Sequence, residues 1–317
     1  MGAAEARAEL ERLRAGGKLA LSRALSRLEA EEGSAALAAL LDLAVATGAG
    51  HALGLTGPPG VGKSTLTNAL IRSFRAAGET VGVLAVDPSS RLTGGALLGD
   101  RTRLATDPED QGIFVRSMAA RDRLGGLSDH AIAAIALMRA ARQQVIVESV
   151  GIGQSEADVA FAVDTLVLCI QPGSGDSLQF MKAGVMELPD IIVVTKADMG
   201  AAAARAKSDV EGALSLSRLS ASGWKVPVLT VSAVEDTGTG ELMQAIAAHR
   251  AWLASSGQGA GRRARQQTDW VSDYVLTRYG RAGASRIDVA GELAAAGGPF
   301  AAMARIRADL DRRLGLL

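Results

Sequence analysis

Residues 53–66 read Leu53-Gly54-Leu55-Thr56-Gly57-Pro58-Pro59-Gly60-Val61-Gly62-Lys63-Ser64-Thr65-Leu66, and from Gly57 to Ser64 they fit the pattern G-x-x-x-x-G-K-[ST]. A short apolar run precedes the glycines. A helical pattern follows, with Leu66, Leu70 and Phe74 at i, i+4 and i+8 and Gly78 as a stop signal. Strand, glycine loop and helix start, in that order, are the setting in which this pattern holds phosphate. Glycines let the backbone curve so that successive N–H groups point at an anion, and the helix start adds the positive end of its dipole. Lys63 is expected to reach the β- and γ-phosphates and Ser64 to place its hydroxyl on Mg²⁺. The stretch therefore predicts a nucleoside triphosphate site formed by Gly57, Pro58, Pro59, Gly60, Val61, Gly62, Lys63, Ser64 and Thr65.

Outward from this loop, short apolar runs recur at 53–56, 81–86, 145–147, 165–170, 191–194 and 226–231, separated by helical stretches. Continuous Val/Ile/Leu runs suit strands covered on both faces, and alternation with helices suits right-handed β-α-β units. The expected fold is α/β, a P-loop NTPase with a mainly parallel sheet flanked by helices. Ligands of such sheets sit at the carboxyl ends of the strands, and each polar motif below follows one of the runs.

Residues 1–47 read as a helical extension, with Leu10, Leu13, Leu19, Leu21, Leu25 and Leu28 at helical spacing and a break at Gly16-Gly17. Residues 48–254 read as the nucleotide domain. Residues 255–317 read as a polar, glycine-rich linker (255–268) followed by a helical arm carrying Trp270, Tyr274, Tyr279, Met303, Ile306 and Leu310. So short an arm cannot bury its apolar stripe alone. It must pack back or pair with a copy, and a homodimer is expected.

Composition narrows the partners. Lys plus Arg equals Asp plus Glu, 34 of each in 317 residues, so nothing favours nucleic acid. No apolar run reaches the ~18 residues of a membrane span. Residues 1–14 mix acids and bases, unlike a transit or secretory leader. The sole cysteine, Cys169, lies inside an apolar run and reads as a core thiol. With no disulfide framework available, the chain is expected to be cytoplasmic.

The base is read from Thr195-Lys196-Ala197-Asp198, a variant of N-K-x-D that follows the run 191–194. A carboxylate at Asp198 accepts from N1–H and the 2-amino group of guanine, whereas adenine offers neither donor. The Lys196 stem would lie over the base. Thr195 keeps a hydroxyl but loses the usual amide, which is expected to weaken the bonding within the loop without changing base choice. Ser232, Ala233 and Val234 follow the run 226–231, placed like a turn whose backbone N–H meets O6. GTP and GDP are thus the expected nucleotides.

Three acids are candidates for the metal: Asp87, Asp100 and Glu148. Mg²⁺ keeps several waters and takes one or two carboxylates directly. Glu148 is the first choice as ligand with Ser64, and Asp87 the second. Asp100, in a glycine-rich loop, is read as engaging in one nucleotide state. Gly151 is placed to meet the γ-phosphate through its N–H. Ile152 stands where many Ras-like GTPases carry a water-positioning Gln, so slow intrinsic hydrolysis is expected, with help from Gln154, Asp100 or a partner.

Taken together, G-P-P-G-V-G-K-S-T, V-D-P-S-S (86–90), T-G-G-A-L-L-G-D (93–100), E-S-V-G-I-G-Q-S-E (148–156), P-G-S-G-D (172–176), V-V-T-K-A-D (193–198) and Ser232-Ala233 resemble the MeaB/ArgK/MMAA group of P-loop GTPases. These are the G-protein chaperones of adenosylcobalamin-dependent acyl-CoA mutases. The resemblance runs from about residue 20 to 255 and more weakly through Arg262-Arg263-Ala264-Arg265-Gln266-Gln267 to Trp270. It implies a homodimer that binds a mutase, with GTP hydrolysis gating cofactor loading, protecting the radical enzyme and releasing inactivated cobalamin. It also implies a further switch facing the mutase, carrying Gly173, Gly175, Asp176, Gln179 and Lys182. Thr195, Pro189 and Phe180-Met181 depart from the family pattern.

Other readings of the same loop stay open. A nickel-insertion GTPase needs clustered Cys or His, and His51, His130 and His249 are scattered in sequence. A small-metabolite kinase gives the guanine motif no purpose. A signal-recognition-type targeting GTPase calls for a different signature than Glu148-Ser149-Val150-Gly151.

Overall fold

The computed structural model describes residues 3–87, 104, 106–119, 127–149, 159–173, 187–216 and 223–315. Among these, seven strands form one sheet: β1 (His51–Thr56), β2 (Val81–Asp87), β3 (Ile113–Ala119), β4 (Gln144–Glu148), β5 (Thr165–Ile170), β6 (Ile191–Val194) and β7 (Val228–Thr230). Their order is β3-β2-β4-β1-β5-β6-β7, and every neighbouring pair is parallel. The phosphate loop leaves β1 at the centre. The helices are α1 (Ala3–Ala15), α2 (Gly17–Ala30), α3 (Ala35–Thr47), α4 (Lys63–Ala76), α5 (Asp129–Ala141), α6 (Ala201–Leu216), α7 (Thr239–Ser255), α8 (Gln258–Ala284), α9 (Val289–Ala296) and α10 (Pro299–Arg313).

β1, β4, β5 and β6 are buried at every residue, which is why they read as unbroken apolar runs. Side chains alternate between two cores. Ala52, Leu84, Val145, Val147 and Leu166 face one side, where α5 covers the sheet and α1, α2, α3, α8 and α10 extend the same core. Leu53, Leu55, Val81, Val83, Ile146 and Val167 face the other, under Leu66, Leu70 and Phe74 of α4 and Leu242 and Ile246 of α7. Toward the β7 edge, Ala203, Ala206 and Val210 of α6 cover Leu168, Ile170, Ile192 and Val194. β3 lies at the opposite edge, paired with β2 alone from Val81↔Ile113 to Asp87↔Ala119.

Residues 258–268, read from sequence as part of a linker, are the first turns of α8. Gly259 and Gly261 lower helix propensity there, and tertiary anchoring overrides it. Arg262 makes two bonds of 2.7 Å to Asp190, and Arg263 one of 3.0 Å to Asp164. The Gln266 amide donates to Val163 O (2.8 Å) and the Trp270 indole to Phe161 O (2.8 Å). The C-terminal helices also fold back within the chain. The Asp42 carboxylate of α3 accepts the N–H groups of Phe300 (2.8 Å) and Ala301 (2.9 Å), capping α10.

Two of the histidines scattered in sequence meet in space. His51 Nε2 and His249 Nδ1 lie 2.9 and 2.8 Å from Thr165 Oγ1, and His249 packs between Trp224 and Trp252. Among the described residues, no group of three or more His, Cys, Asp or Glu side chains is placed to hold a metal ion. No described helix is long and apolar enough to cross a membrane.

Candidate functional site

The loop after β1 owes its shape to three glycines. Gly57 has φ +137°, and a Cβ there would lie 2.2 Å from the Cys169 carbonyl oxygen of β5. Gly60 (φ +73°) and Gly62 (φ +101°) also take left-handed conformations, with open space beside them. Gly62 caps α4 without a side-chain bond, so the first N–H groups of that helix remain for an anion. Val61 is fully buried and pins the loop to the core, while Pro59, Gly60 and Thr65 are exposed. The Lys63 ammonium is folded across the loop, donating to Gly57 O (2.7 Å) and Pro58 O (3.1 Å).

Glu148 closes β4 beside the loop strand, where the register pairs it with Leu55. Its buried carboxylate accepts from Ser64 Oγ through Oε1 (2.6 Å) and from Thr67 Oγ1 through Oε2 (2.8 Å). Ser149 holds the exit of β4, its N–H on Leu55 O (3.1 Å) and its hydroxyl on Thr56 Oγ1 (3.1 Å). Ser64 and Glu148, both read from sequence as metal groups, are therefore in direct contact. An oxygen-only pair of one hydroxyl and one carboxylate fits Mg²⁺, which leaves its other positions to water and phosphate. The backbone of Asp87 ends β2, two residues beyond Ala85, the partner of Glu148. Cys169, behind the loop, is fully buried, and burial pushes its thiol up to about 12.

At the other end of the site two loops are fastened together. The Thr195 hydroxyl donates to Val61 O (2.7 Å) and also lies 3.1 Å from Ile170 O. The bonding expected to weaken with threonine is thus present, and it ties the base loop to the phosphate loop. Lys196 has left-handed backbone angles (φ 55°, ψ 46°), and its ammonium donates to Gln171 Oε1 at 2.7 Å. Asp198 is exposed, and its Oδ1 accepts from Ser232 Oγ at 2.7 Å, which sets the carboxylate plane. Ala197 N donates to Val231 O (3.2 Å), and paired bonds between Ser232 and Thr237 (3.0 Å each) close the second turn. Ala233 is half-buried and Val234 is 84% exposed on that turn.

Of the residues read from sequence, Gly57 to Thr65, Glu148, Thr195, Lys196, Asp198, Ser232, Ala233 and Val234 thus lie at the carboxyl ends of β1, β4, β6 and β7. Gly173 is exposed with φ +76°. Asp100, Gly151, Gln154, Gly175, Asp176, Gln179, Lys182 and the side chain of Asp87 lie outside the described residues. Sequence reasoning missed Thr67 and Gln171. Thr67 sits three residues after Ser64, on the same helical face, which is the signal that could have found it. Gln171 carried no local signal beyond its place after β5.

The family model for the methylmalonyl Co-A mutase-associated GTPase MeaB matches residues 21–283. A protein of Pyrococcus horikoshii named as a GTPase is 43% identical over 256 residues, 80% of each chain. The mitochondrial methylmalonic aciduria type A homolog of Mus musculus is 36% identical over 226 residues, 70% of this chain and 54% of the relative. Among solved structures, a LAO/AO transport system kinase matches with a TM-score of 0.68 at 30% identity, covering 88% of both chains. Since the match reaches from the second helix almost to the end of the eighth, and not merely across the nucleotide loops, the chain belongs to the MeaB family of P-loop GTPases.

Proposed function

We propose that this GTPase is a chaperone of an adenosylcobalamin-dependent acyl-CoA mutase, gating cofactor loading, protecting the mutase and promoting release of inactivated cobalamin. The family match supports the mutase as partner. The observation that carries the guanine reading is the Asp198 carboxylate held by Ser232 at the carboxyl edge of β6. A carboxylate fixed there accepts from N1–H and the 2-amino group of guanine, and adenine has a donor at neither position.

The residues divide the work as follows. Backbone N–H groups from Gly57 to Thr65 cradle the phosphates. Lys63 exchanges the carbonyls of Gly57 and Pro58 for the β- and γ-phosphate oxygens. Ser64 and Glu148, with Asp87, would hold Mg²⁺, and Thr67 fixes the second oxygen of Glu148. Bound there, Mg²⁺ would supply positive charge against the phosphates. The N–H groups of Ala233 and Val234 face O6, Thr195 ties this loop to Val61, and Lys196 lies along the base. Gly151 meets the γ-phosphate, and Asp100 and Gln154 assist the attacking water. Gly173, Gly175, Asp176, Gln179 and Lys182 face the mutase. The C-terminal arm supports a cytoplasmic homodimer.

The test is GTP turnover by the purified protein with and without each candidate mutase. A chaperone hydrolyses GTP faster when its mutase is present and consumes no acceptor. The likeness to a protein titled a transport system kinase favours a second reading, phosphoryl transfer to a small metabolite. Preference for ATP and stoichiometric loss of an acceptor would establish that reading and remove the first.

A further inference from the structure

Gln171 belongs to none of the quoted motifs, standing directly before P-G-S-G-D, yet its side chain holds a residue of the base motif. It is the first residue after β5, and its Oε1 accepts from Lys196 Nζ at 2.7 Å. Its position is fixed from behind. β5 and β6 are in register through Ile170↔Val194, and Thr195 N donates to Ile170 O at 2.8 Å. Lys196 is fixed from its own side, because a left-handed backbone at a non-glycine residue persists only where the surroundings hold it. The lysine stem therefore spans two anchored points, its Cα on the base loop and its ammonium on Gln171.

We infer that Gln171 is a positioning residue of the guanine site: it holds the Lys196 stem extended before the base arrives. This rests on the guanine reading above. A lysine side chain loses much rotamer freedom when it is immobilised. If Gln171 removes that freedom in the free protein, the nucleotide no longer has to, and its affinity rises. The gain from pre-ordering one such side chain corresponds to about two- to tenfold in Kd. A glutamine carbonyl suits the task. It accepts the ammonium without forming an ion pair that would compete with the neighbouring phosphate field.

Calorimetry with Mg²⁺ and GDP, and steady-state GTP hydrolysis, test this on the full chain. Gln171→Leu keeps a side chain of similar bulk and removes the acceptor. It is expected to weaken GDP binding by about two- to tenfold, with the loss on KM rather than kcat. Inorganic tripolyphosphate, which has no base, should bind Gln171→Leu as it binds the wild type. Gln171→Glu retains the acceptor but adds the competing ion pair, and should recover part of the affinity lost in Gln171→Leu. The inference is overturned if Gln171→Leu matches the wild type for GDP, if tripolyphosphate weakens in parallel, or if Gln171→Glu is as impaired as Gln171→Leu. Asp198→Asn separates the two levels of the argument. If it moves preference from GTP to xanthosine triphosphate, the guanine site stands whatever Gln171 does. If GTP affinity is unchanged in Asp198→Asn, the guanine site itself is wrong.

Discussion

Replacing Arg262 by alanine should loosen the C-terminal helices from the sheet. Its guanidinium grips both oxygens of Asp190 at 2.7 Å and donates to the Asp164 carbonyl at 2.5 Å. The Asp190 side chain is 9% exposed, and its other contacts are Leu166 N at 2.8 Å and the His249 ring at 3.3 Å. Burial raises the Asp190 carboxyl, and the hydrogen bonds and charges of Arg262 and His249 together more than offset that, holding it below the usual carboxylate range. Removing one partner of a buried pair costs about 3–5 kcal/mol, because the other charge stays behind. Arg262 is itself 27% exposed, so water moderates the loss and about 3 kcal/mol is expected. With a urea dependence of ~3 kcal/mol per molar for a chain of this size, the unfolding midpoint should fall by about 1 M. The double variant Arg262→Met with Asp190→Asn leaves no orphaned charge. It should lose less than the two single variants added together, by a coupling of more than ~1.5 kcal/mol. A loss below ~1 kcal/mol for Arg262→Ala, or strict additivity, would show that this clamp does not fasten α8.

Other expectations concern the same chain. Burial lowers the His51 imidazole to about 4, against about 6.5 when unfolded. The fold holds it neutral, so its contribution is complete above pH 6.5 and is lost as pH falls toward 4. That amounts to about 3 kcal/mol in all, of which about 2 is gone by pH 5. Urea titrations at pH 7 and pH 5 should show this drop in the wild type and a smaller one in His51→Gln. Lys63→Ala should lower the GTP hydrolysis rate by at least ~10²-fold, and wild-type turnover in that variant would refute the phosphate site. Thr195→Val removes the donor to Val61 O and should cost about 1–2 kcal/mol of stability. It should weaken GDP binding as well; unchanged affinity would mean that the two loops are not coupled through this hydroxyl.

Much of this architecture can be read from the chain because its central strands are covered on both faces. Apolar runs at 165–170 and 191–194 became β5 and β6 with the same ends, and the glycine and acidic motifs fell at the strand exits. β3 escaped because an edge strand is half solvated, and Arg116 and Ser117 interrupt its apolar run. The start of α8 escaped for the opposite reason. Its glycines argue locally for coil, whereas its helicity is enforced by Arg262 and Arg263 reaching carboxylates about 70 to 100 residues away in sequence. The His51–Thr165–His249 chain joins three segments whose adjacency depends on the finished sheet, so no local pattern announces it. In the site, a motif states which residue types a ligand needs. It is silent on neighbours such as Thr67 and Gln171 that steady them.

The core shared by the two termini limits what can be trimmed from this molecule. Residues 48–254 contain every nucleotide motif, yet α5, which covers Ala52, Leu84, Val145 and Val147, is itself roofed by α1, α2 and α3, with α10 packed on α3. A fragment cut to those limits would bare a broad greasy plane beside an intact phosphate loop and would aggregate. Binding studies on the isolated nucleotide region would then report on clumped protein. The smallest usable unit is the one that retains both roofs.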